Sequence, residues 1–303
     1  MTVTTEAGAK APAGRRRPAK AAPAGEERIP RPSQGWYRDP ITGTKLRRVT
    51  TILSQGCSKE PLVFWSANFT AQTAIDNLPQ LVASSRTRAD REESYDWLRK
   101  AHIRRKDERA DVGTAVHRLI EAHILGTPIP ADLLNDQELA PYVDNFSAFI
   151  REWEIEFEAS EMVVGNYEDG YAGTLDYLYR SRIVASLLGV RPDTLFEGDT
   201  KTGGELDVKG VYAEAGLQMA AYRRATVCWL RDGTQIPMPA VHSTGIVLHL
   251  RPEGYRVVPV LCGDDVFEAF LVMKQAAEWA TGLSKTVVGT PLTIPVASEK
   301  RAA

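Results

Sequence analysis

The most constraining feature of the sequence is a pair of alternating apolar and polar runs separated by a tight-turn signal. The stretch reads EMVVGNYEDGYAGTLDYLYR over residues 161–180, with Asp169 and Gly170 between its halves. Asp-Gly favours a two-residue turn, and alternation with a period of two is typical of strands. The segment therefore predicts a β-hairpin. The run TLFEGDTK at residues 194–201 predicts a third strand.

Helical patterns surround these strands. The expected helices cover residues 114–125, 139–157, 211–230 and 264–280. Gly126 follows the first of them and would close it, because glycine readily adopts the left-handed conformation that ends helices. A further hairpin is expected around residues 252–254, where Pro and Gly interrupt two apolar runs. The order of elements predicts an α/β fold with a mixed central sheet flanked by helices.

Composition divides the chain further. Residues 1–30 contain eight alanines and four prolines with almost no large apolar side chain, which predicts a disordered tail. Residues 31–109 show a short helical signal and apolar residues at helical spacing, which predicts a helical N-terminal subdomain. Residues 110–285 are expected to form the core domain, and residues 286–303 a C-terminal tail.

Charge and cysteine content limit the compartment and the partners. Lys and Arg total 37 against 39 Asp and Glu, so any site for a polyanion must be local. The three cysteines, Cys57, Cys228 and Cys262, lie far apart without CxxC spacing, which predicts reduced thiols and a cytoplasmic protein. No apolar run is long enough for a membrane span or a secretory signal, so no membrane partner is expected.

Two carboxylates and a lysine fall at the polar ends of the predicted strands. Residues two apart in a strand point to the same side, about 6 to 7 Å apart, so Asp199 and Lys201 would face one point. Asp176 interrupts the apolar text of the preceding hairpin. Two acids converging from neighbouring strands make a site for a hard cation such as Mg²⁺ or Mn²⁺. The alternative is a strand-end ion pair, which contributes less than about 1 kcal/mol when exposed.

Two predicted helices carry polar pairs four residues apart. His117 and Glu121 share one helix face, and if that face overlooks the sheet the imidazole adds a nitrogen ligand. Gln218 and Tyr222 also share a face and could orient a phosphate or the lysine. Considered alone, a packed core histidine, an exposed glutamine and a core tyrosine are the alternatives. Glu161, at the start of the hairpin, is a further candidate contact for a metal or water.

Nine basic and six acidic residues alternate over residues 86–110, with Tyr95 and Trp97 between them. A run of this kind is typical of a solvated helix face. The alternative is a helix that contacts phosphates, in a strand-guiding surface where bases stack on aromatic rings; the candidate rings, several of which could instead be core, are Trp36, Tyr37, Trp65, Tyr95 and Trp97. Both interpretations remain open at this point.

Four short motifs occur in order along the chain: GTAVH, GTLD, DTK and QMAAY, at residues 113–117, 173–176, 199–201 and 218–222. Each is weak alone, but the order and the expected elements make the joint signal specific. Together they resemble the four motifs of the RecB-like branch of the PD-(D/E)XK nuclease superfamily. That branch includes phage recombination exonucleases and RecB-like nucleases associated with CRISPR adaptation. The likeness covers roughly residues 110–225.

The resemblance implies a restriction-endonuclease-like core over residues 110–285 and a DNA nuclease that uses Mg²⁺ or Mn²⁺. The metal ligands that it implies are His117, Asp176, Asp199 and the carbonyl of Thr200. Lys201 would position the attacking water or help to deprotonate it, and Gln218 and Tyr222 would support the substrate phosphate or the lysine. A divalent ion suits this chemistry because it neutralises the phosphodiester and lowers the pKa of bound water.

The chain departs from the family pattern in two respects, and these limit the cofactors and partners that we expect. The iron-sulfur members of the branch need four cysteines, so no such cluster is expected with three. No GxxxxGK[ST] loop occurs, so unwinding would come from a helicase partner; a recombinase or an annealing protein are the other candidate partners. The expected activity is an exonuclease of recombination, replication or repair, encoded by a phage. The alternatives are a structure-specific or nicking endonuclease and a nucleic-acid-binding accessory protein without turnover.

Overall fold

The computed structural model of the protein describes residues 25–133, 136–206 and 210–293. In these residues ten strands form one mixed sheet, flanked by nine helices. The α/β class and the mixed sheet predicted from the sequence are therefore confirmed. None of the described helices combines the length and the apolar character needed to cross a bilayer.

The bounds of the elements are as follows. The strands are β1 (Arg31–Ser33), β2 (Trp36–Arg38), β3 (Lys45–Arg48), β4 (Glu156–Asn166), β5 (Tyr171–Arg180), β6 (Phe196–Lys201), β7 (Val227–Trp229), β8 (Gln235–Pro237), β9 (Thr244–Arg251) and β10 (Gly254–Leu261). The helices are α1 (Val49–Gly56), α2 (Glu60–Asp76), α3 (Leu78–Ala83), α4 (Arg88–Arg99), α5 (Ala101–Leu125), α6 (Ala140–Glu152), α7 (Arg182–Leu188), α8 (Glu214–Arg223) and α9 (Asp264–Thr281).

The predicted hairpin is the centre of the sheet. β4 and β5 pair antiparallel along almost their whole length, and the turn between them places Gly170 at φ 70°. Only glycine adopts this left-handed conformation without cost, but the loop spans four residues, 167–170, rather than the two that Asp-Gly favours. The second predicted hairpin, β9 and β10, also forms.

The sheet divides at β5. One edge of β5 pairs with β4; the other pairs with β3 only at Tyr171 and Ala172, and with β6 only at residues 177–179. Within the described part of the chain, residues 173–176 have no strand partner on that second edge. We call this opening between β3 and β6 the fork. Beyond it, β6 continues as the parallel neighbour of β9.

Two hydrophobic cores hold the helices against the sheet. On one face α1, α8 and α9 bury apolar side chains against the centre of the sheet, among them Ile52, Met219 and Phe270. On the other face α5 and α6 do the same through side chains such as Ile120 and Phe146. The helices that bound the fork are thus fixed by burial of their apolar stripes.

The structure corrects the expected helical subdomain over residues 31–109. β1, β2 and β3 join the central sheet, and α1 packs against α9. Buried Arg47 of β3 hydrogen-bonds Gln55 of α1 and, at 3.0 Å, Thr281 of α9. Of the helices that begin within residues 31–109, α2, α3 and α4 have no buried residue. We call these three helices the helical arm.

Other boundaries also differ from the predictions. The helix expected over residues 211–230 ends at Arg223, because residues 227–229 pair with β4 as β7. α5 begins at Ala101 rather than near Thr114, and α6 ends at Glu152 so that Phe157 belongs to β4. Most of both expected tails, residues 1–24 and 294–303, lies outside the described residues.

Candidate metal centre

The two aspartates of the predicted site lie where β5 and β6 diverge. The last residues paired before the fork are Tyr177 and Gly198, so Asp176 and Asp199 are the next residues on the two strands. Asp176 Oδ2 accepts the backbone N–H of Thr200 at 2.7 Å. The carboxylate therefore takes the place of a strand partner, and it fixes Asp176 at the mouth of the fork.

Lys201 and Asp199 point to the same side of β6, as their spacing predicts. The Nζ atom of Lys201 lies 2.8 Å from Oδ1 and 2.7 Å from Oδ2 of Asp199. From α8, the side-chain amide of Gln218 donates to the same Oδ1 at 3.2 Å. Burial lowers the pKa of Lys201, but the charges of Asp199 and Asp176 outweigh it and leave the pKa above its usual value. The amine is therefore charged at neutral pH.

His117 reaches the same point from α5. The helix passes close to the loop after β6, since a Cβ on Gly113 would lie 3.2 Å from Oγ1 of Thr202. His117 Nδ1 lies 3.6 Å from Asp176 Oδ2 and 3.6 Å from Glu161 Oε1. Burial alone would lower the pKa of His117, but the two carboxylates raise it to about 9. The imidazole thus joins the carboxylates as expected.

Glu161 on β4 belongs to this cluster, although the expected ligand set did not include it. The residues on either side of Glu161 pair with those on either side of Asp176, so the two acids lie beside each other. Glu161 has a φ of 47°, which is unusual for a residue other than glycine. His117, Glu161 and Asp176 each offer one ligand atom, all within 4.8 Å of one another. A two-residue turn at Asp169 and Gly170 would have placed Val163 opposite Asp176; the observed pairing of Asn166 with Tyr171 places Glu161 there instead.

The donor set fits a hard divalent cation. Carboxylate oxygens and an imidazole nitrogen suit Mg²⁺ or Mn²⁺. Burial and the charge of Asp199 raise the pKa of Asp176 to about 7, so crowded carboxylates compete for protons here. Asp199 Oδ2 is buried and has no hydrogen bond of good geometry, despite the nearby amine. A cation would satisfy this oxygen and relieve the crowding.

Tyr222 supports the site through packing. A Cβ at position 173 would lie 2.2 Å from Cε1 of Tyr222, so the glycine of GTLD makes room for the ring. Tyr222 is buried, yet it lines the open cleft at the fork. Burial raises the pKa of its hydroxyl well above the usual value. Tyr222 and Gln218 therefore sit together on one face of α8, as their spacing predicts.

The centre opens into a cleft of about 640 Å³. All of the expected site residues line it, together with Tyr37, Arg109 and one residue that the sequence did not single out, Arg48. Within the described residues neither arginine forms an ion pair, so both are available to an anion. Arg109 belongs to the basic run, whereas Arg48 lies on the short strand β3, which carried no signal of its own.

No protein-family model and no curated protein matches this chain. The interpretation of the site therefore depends on its geometry and on the motifs themselves.

Two acids close to the motifs, Glu121 and Glu197, lie outside the centre. Glu121 Oε1 accepts a hydrogen bond from Arg231 at 2.8 Å, so it is engaged on the helix surface rather than with His117. Glu197, two residues before Asp199, is buried and does not line the cleft. Burial and the charge of Asp199 raise its pKa well above the usual value. Thr200 is also buried, and it contacts the centre through its backbone N–H.

Proposed function

We propose that the protein is a DNA nuclease that depends on Mg²⁺ or Mn²⁺, hydrolyses phosphodiester bonds, and belongs to the RecB-like branch of the PD-(D/E)XK superfamily. One observation carries the proposal. His117, Glu161 and Asp176 offer ligand atoms within 4.8 Å of one another, beside the contact between Asp199 and Lys201. The four ordered motifs support the same function, because each places a residue at this point.

The residues fit distinct roles in phosphodiester hydrolysis. A divalent cation, when bound, neutralises the phosphate charge and makes water a stronger acid. His117, Glu161 and Asp176 would hold it, with Asp199 and the carbonyl of Thr200 as further donors. These donors come from one helix and three neighbouring strands, so folding itself assembles the site.

Lys201 would orient the attacking water and stabilise charge on the phosphate. Its pKa lies above the usual value, so the amine stays protonated near neutral pH and is a poor base. Gln218 fixes Asp199, and Tyr222 fills the space over Gly173, so both position the reacting groups. Arg48 and Arg109 would contact phosphates that flank the cut.

The proposal extends to the biological setting that the resemblance implies. We favour an exonuclease of recombination, replication or repair that acts in the cytoplasm, as expected for a phage-encoded protein. A recombinase, an annealing protein or a helicase would be its partner. The open cleft could admit either a DNA end or a bond within a strand. The test below therefore distinguishes an exonuclease from an endonuclease.

The test compares linear and covalently closed DNA. Each is incubated with Mg²⁺, or with EDTA, and with the unchanged protein, Lys201→Ala or the control Lys285→Ala, which alters an exposed lysine far along the chain. We expect metal-dependent loss of linear DNA, and a decrease of at least about 100-fold for Lys201→Ala only. Attack on both forms would indicate an endonuclease. No attack by the unchanged protein with either Mg²⁺ or Mn²⁺ would overturn the proposal and favour a binding module.

A further inference from the structure

A second cavity, of about 500 Å³, adjoins the cleft. It lies between α2 of the helical arm, the middle of α5 and the segment that leads into α8. Arg109, Lys201 and Gln218 line both cavities, so the second opens directly onto the candidate metal centre. We call it the side groove. None of the four sequence motifs accounts for its other residues.

Apolar and aromatic side chains form the walls of the side groove. Leu62 lines it from α2 and Tyr212 from the opposite segment, and each is 57% exposed. Trp65 also lines it. The indole is held in place, because it stacks on Phe69 with ring centroids 5.7 Å apart and meets the edge of His102 at 6.5 Å. Rigid aromatic rings in an open groove are suited to stacking on flat ligands.

The charges in the side groove favour an anion. Four cations line it, Lys59, Lys106, Arg109 and Lys201, against one carboxylate, Glu214. Lys59 pairs with Glu214 at 3.0 Å across the groove. Lys201 pairs with Asp199. The ion pair of Lys106 is longer, with Nζ 3.9 Å from Oδ1 of Asp107. Arg109 has no ion pair among the described residues.

The rest of the basic segment, residues 86–110, differs from Lys106 and Arg109, the two residues of α5 that line the side groove. Four of its nine cations pair with neighbouring acids on the exposed helix surface: Arg88 with Glu92, Arg99 and Lys100 with Asp96, and Arg105 with Glu108. Arg104 lies over the ring of Trp97, 4.7 Å from its centre. The segment is therefore largely a solvated surface, and two of its remaining cations, Lys106 and Arg109, line the side groove.

We infer that the side groove binds the unpaired bases of a single-stranded nucleic acid. Trp65 and Tyr212 stack on bases, while Lys106 and Arg109 contact the phosphates between them. A single strand is required because the faces of paired bases are covered by their neighbours in the duplex. Which bond is cut rests on the proposed function, but binding in the groove does not.

The test measures binding without turnover. The whole protein in EDTA is titrated against a fluorescein-labelled oligothymidylate of about 12 nucleotides and against a duplex of equal length, with anisotropy as the readout. Trp65→Ala and Tyr212→Ala are each expected to weaken binding of the single strand about 10-fold. Tyr212 is exposed, so its replacement does not depend on core packing. Trp279→Ala and Tyr95→Ala, at exposed positions outside the groove, are matched controls and should bind within about twofold of the unchanged protein.

Two results would overturn the inference: Tyr212→Ala and Trp65→Ala proteins that fold and bind the oligothymidylate as tightly as the controls, or a duplex that binds as tightly as the single strand. The proposed nuclease is judged separately by DNA cleavage with Mg²⁺. Retained binding with no cleavage would reject the nuclease alone. Cleavage with unchanged binding by both groove variants would reject the groove alone.

Discussion

At the scale of single residues, the chemistry of the centre depends on how Asp176 is surrounded. Its carboxylate accepts one backbone N–H, from Thr200, and shares the remaining space with His117, Glu161 and Asp199. In the absence of a cation, the balancing positive charges come from His117 and Lys201. Protons and divalent cations should therefore compete for the same atoms.

Glu161→Gln tests whether the glutamate is a ligand. The amide keeps the size of the side chain but removes the charge, so we expect Mn²⁺ to bind at least about 10-fold more weakly. Isothermal titration calorimetry measures this directly. Glu156→Gln, at an exposed position on the same strand, is the control and should not change the affinity. Equal affinities for the two variants would remove Glu161 from the centre.

The affinity for Mg²⁺ should rise with pH. In the cation-free protein the pKa of Asp176 is about 7 and that of His117 about 9, so each must lose a proton before it binds the ion. We expect weak binding at pH 6 and about a tenfold gain per pH unit between pH 7 and 9. His117→Ala should flatten the upper part of the profile. An affinity that is constant over this range would contradict the raised pKa values.

The same imidazolium has an opposite effect on the cation-free fold. Because the folded state raises the pKa of His117 from 6.5 to about 9, its stabilising contribution is complete below pH 6.5 and is lost as the pH rises through 9. Added Mg²⁺ should offset that loss, since a ligand that binds only the folded state stabilises it.

The sequence predicts part of this centre for clear reasons. Asp199 and Lys201 converge because strand spacing is local, and the motif order brings in His117 and Asp176. Glu161 depends on the pairing register and on an unusual φ of 47°, neither of which follows from composition. The position of Arg48 in the cleft could not be predicted either, because its strand, β3, has only four residues and gives no clear alternation.

At the scale of elements, α1 determines which parts of the chain belong to the core. Val49 and Ile52 are fully buried against the sheet and α9. At Gly56 the two helices approach so closely that a Cβ would lie 2.1 Å from the carbonyl oxygen of Met273. The sequence predicts a short helix here but not its partner, because α9 begins more than 200 residues later, beyond any local pattern.

Gly56→Ala should therefore destabilise the protein. The added methyl group meets backbone, which cannot move away without separating α1 from α9, so we expect a loss of about 2 to 3 kcal/mol in the free energy of unfolding. Urea denaturation measures it. Gly203→Ala is the matched control, since a Cβ there meets nothing within 4 Å. A loss no larger than that of the control would show that the helices are packed more loosely.

At the scale of the whole molecule, the sheet connects the first strands to the centre. β3 forms one side of the fork, so Tyr37 and Arg48 line the same cleft as Asp176. The hydroxyl groups of Tyr37 and Thr174 hydrogen-bond at 2.8 Å across the junction between β2 and β5. The long hairpins were predictable from alternation. The addition of β1, β2 and β3 to the sheet was not, because these strands are three or four residues long and β3 pairs with β5, more than 100 residues later.

A chain that begins at residue 57 should lose cooperative unfolding. It lacks β1, β2, β3 and α1, and it would expose the apolar surfaces that they cover on β5 and α9. A chain of residues 25–293 should keep a sharp thermal transition, followed by circular dichroism. A sharp transition in the shorter chain as well would mean that the first strands are an appendage, as the domain boundary expected from the sequence implies.

The fork also offers a way to follow occupancy. Residues 173–176 lie in the middle of a ten-stranded sheet, yet within the described residues one edge of this stretch has no strand partner. Backbone amides that point into such a slot should exchange hydrogen for deuterium faster than the paired amides at either end of β5. Any molecule that fills the cleft should slow that exchange, so one short peptide in mass spectrometry would report binding without a label.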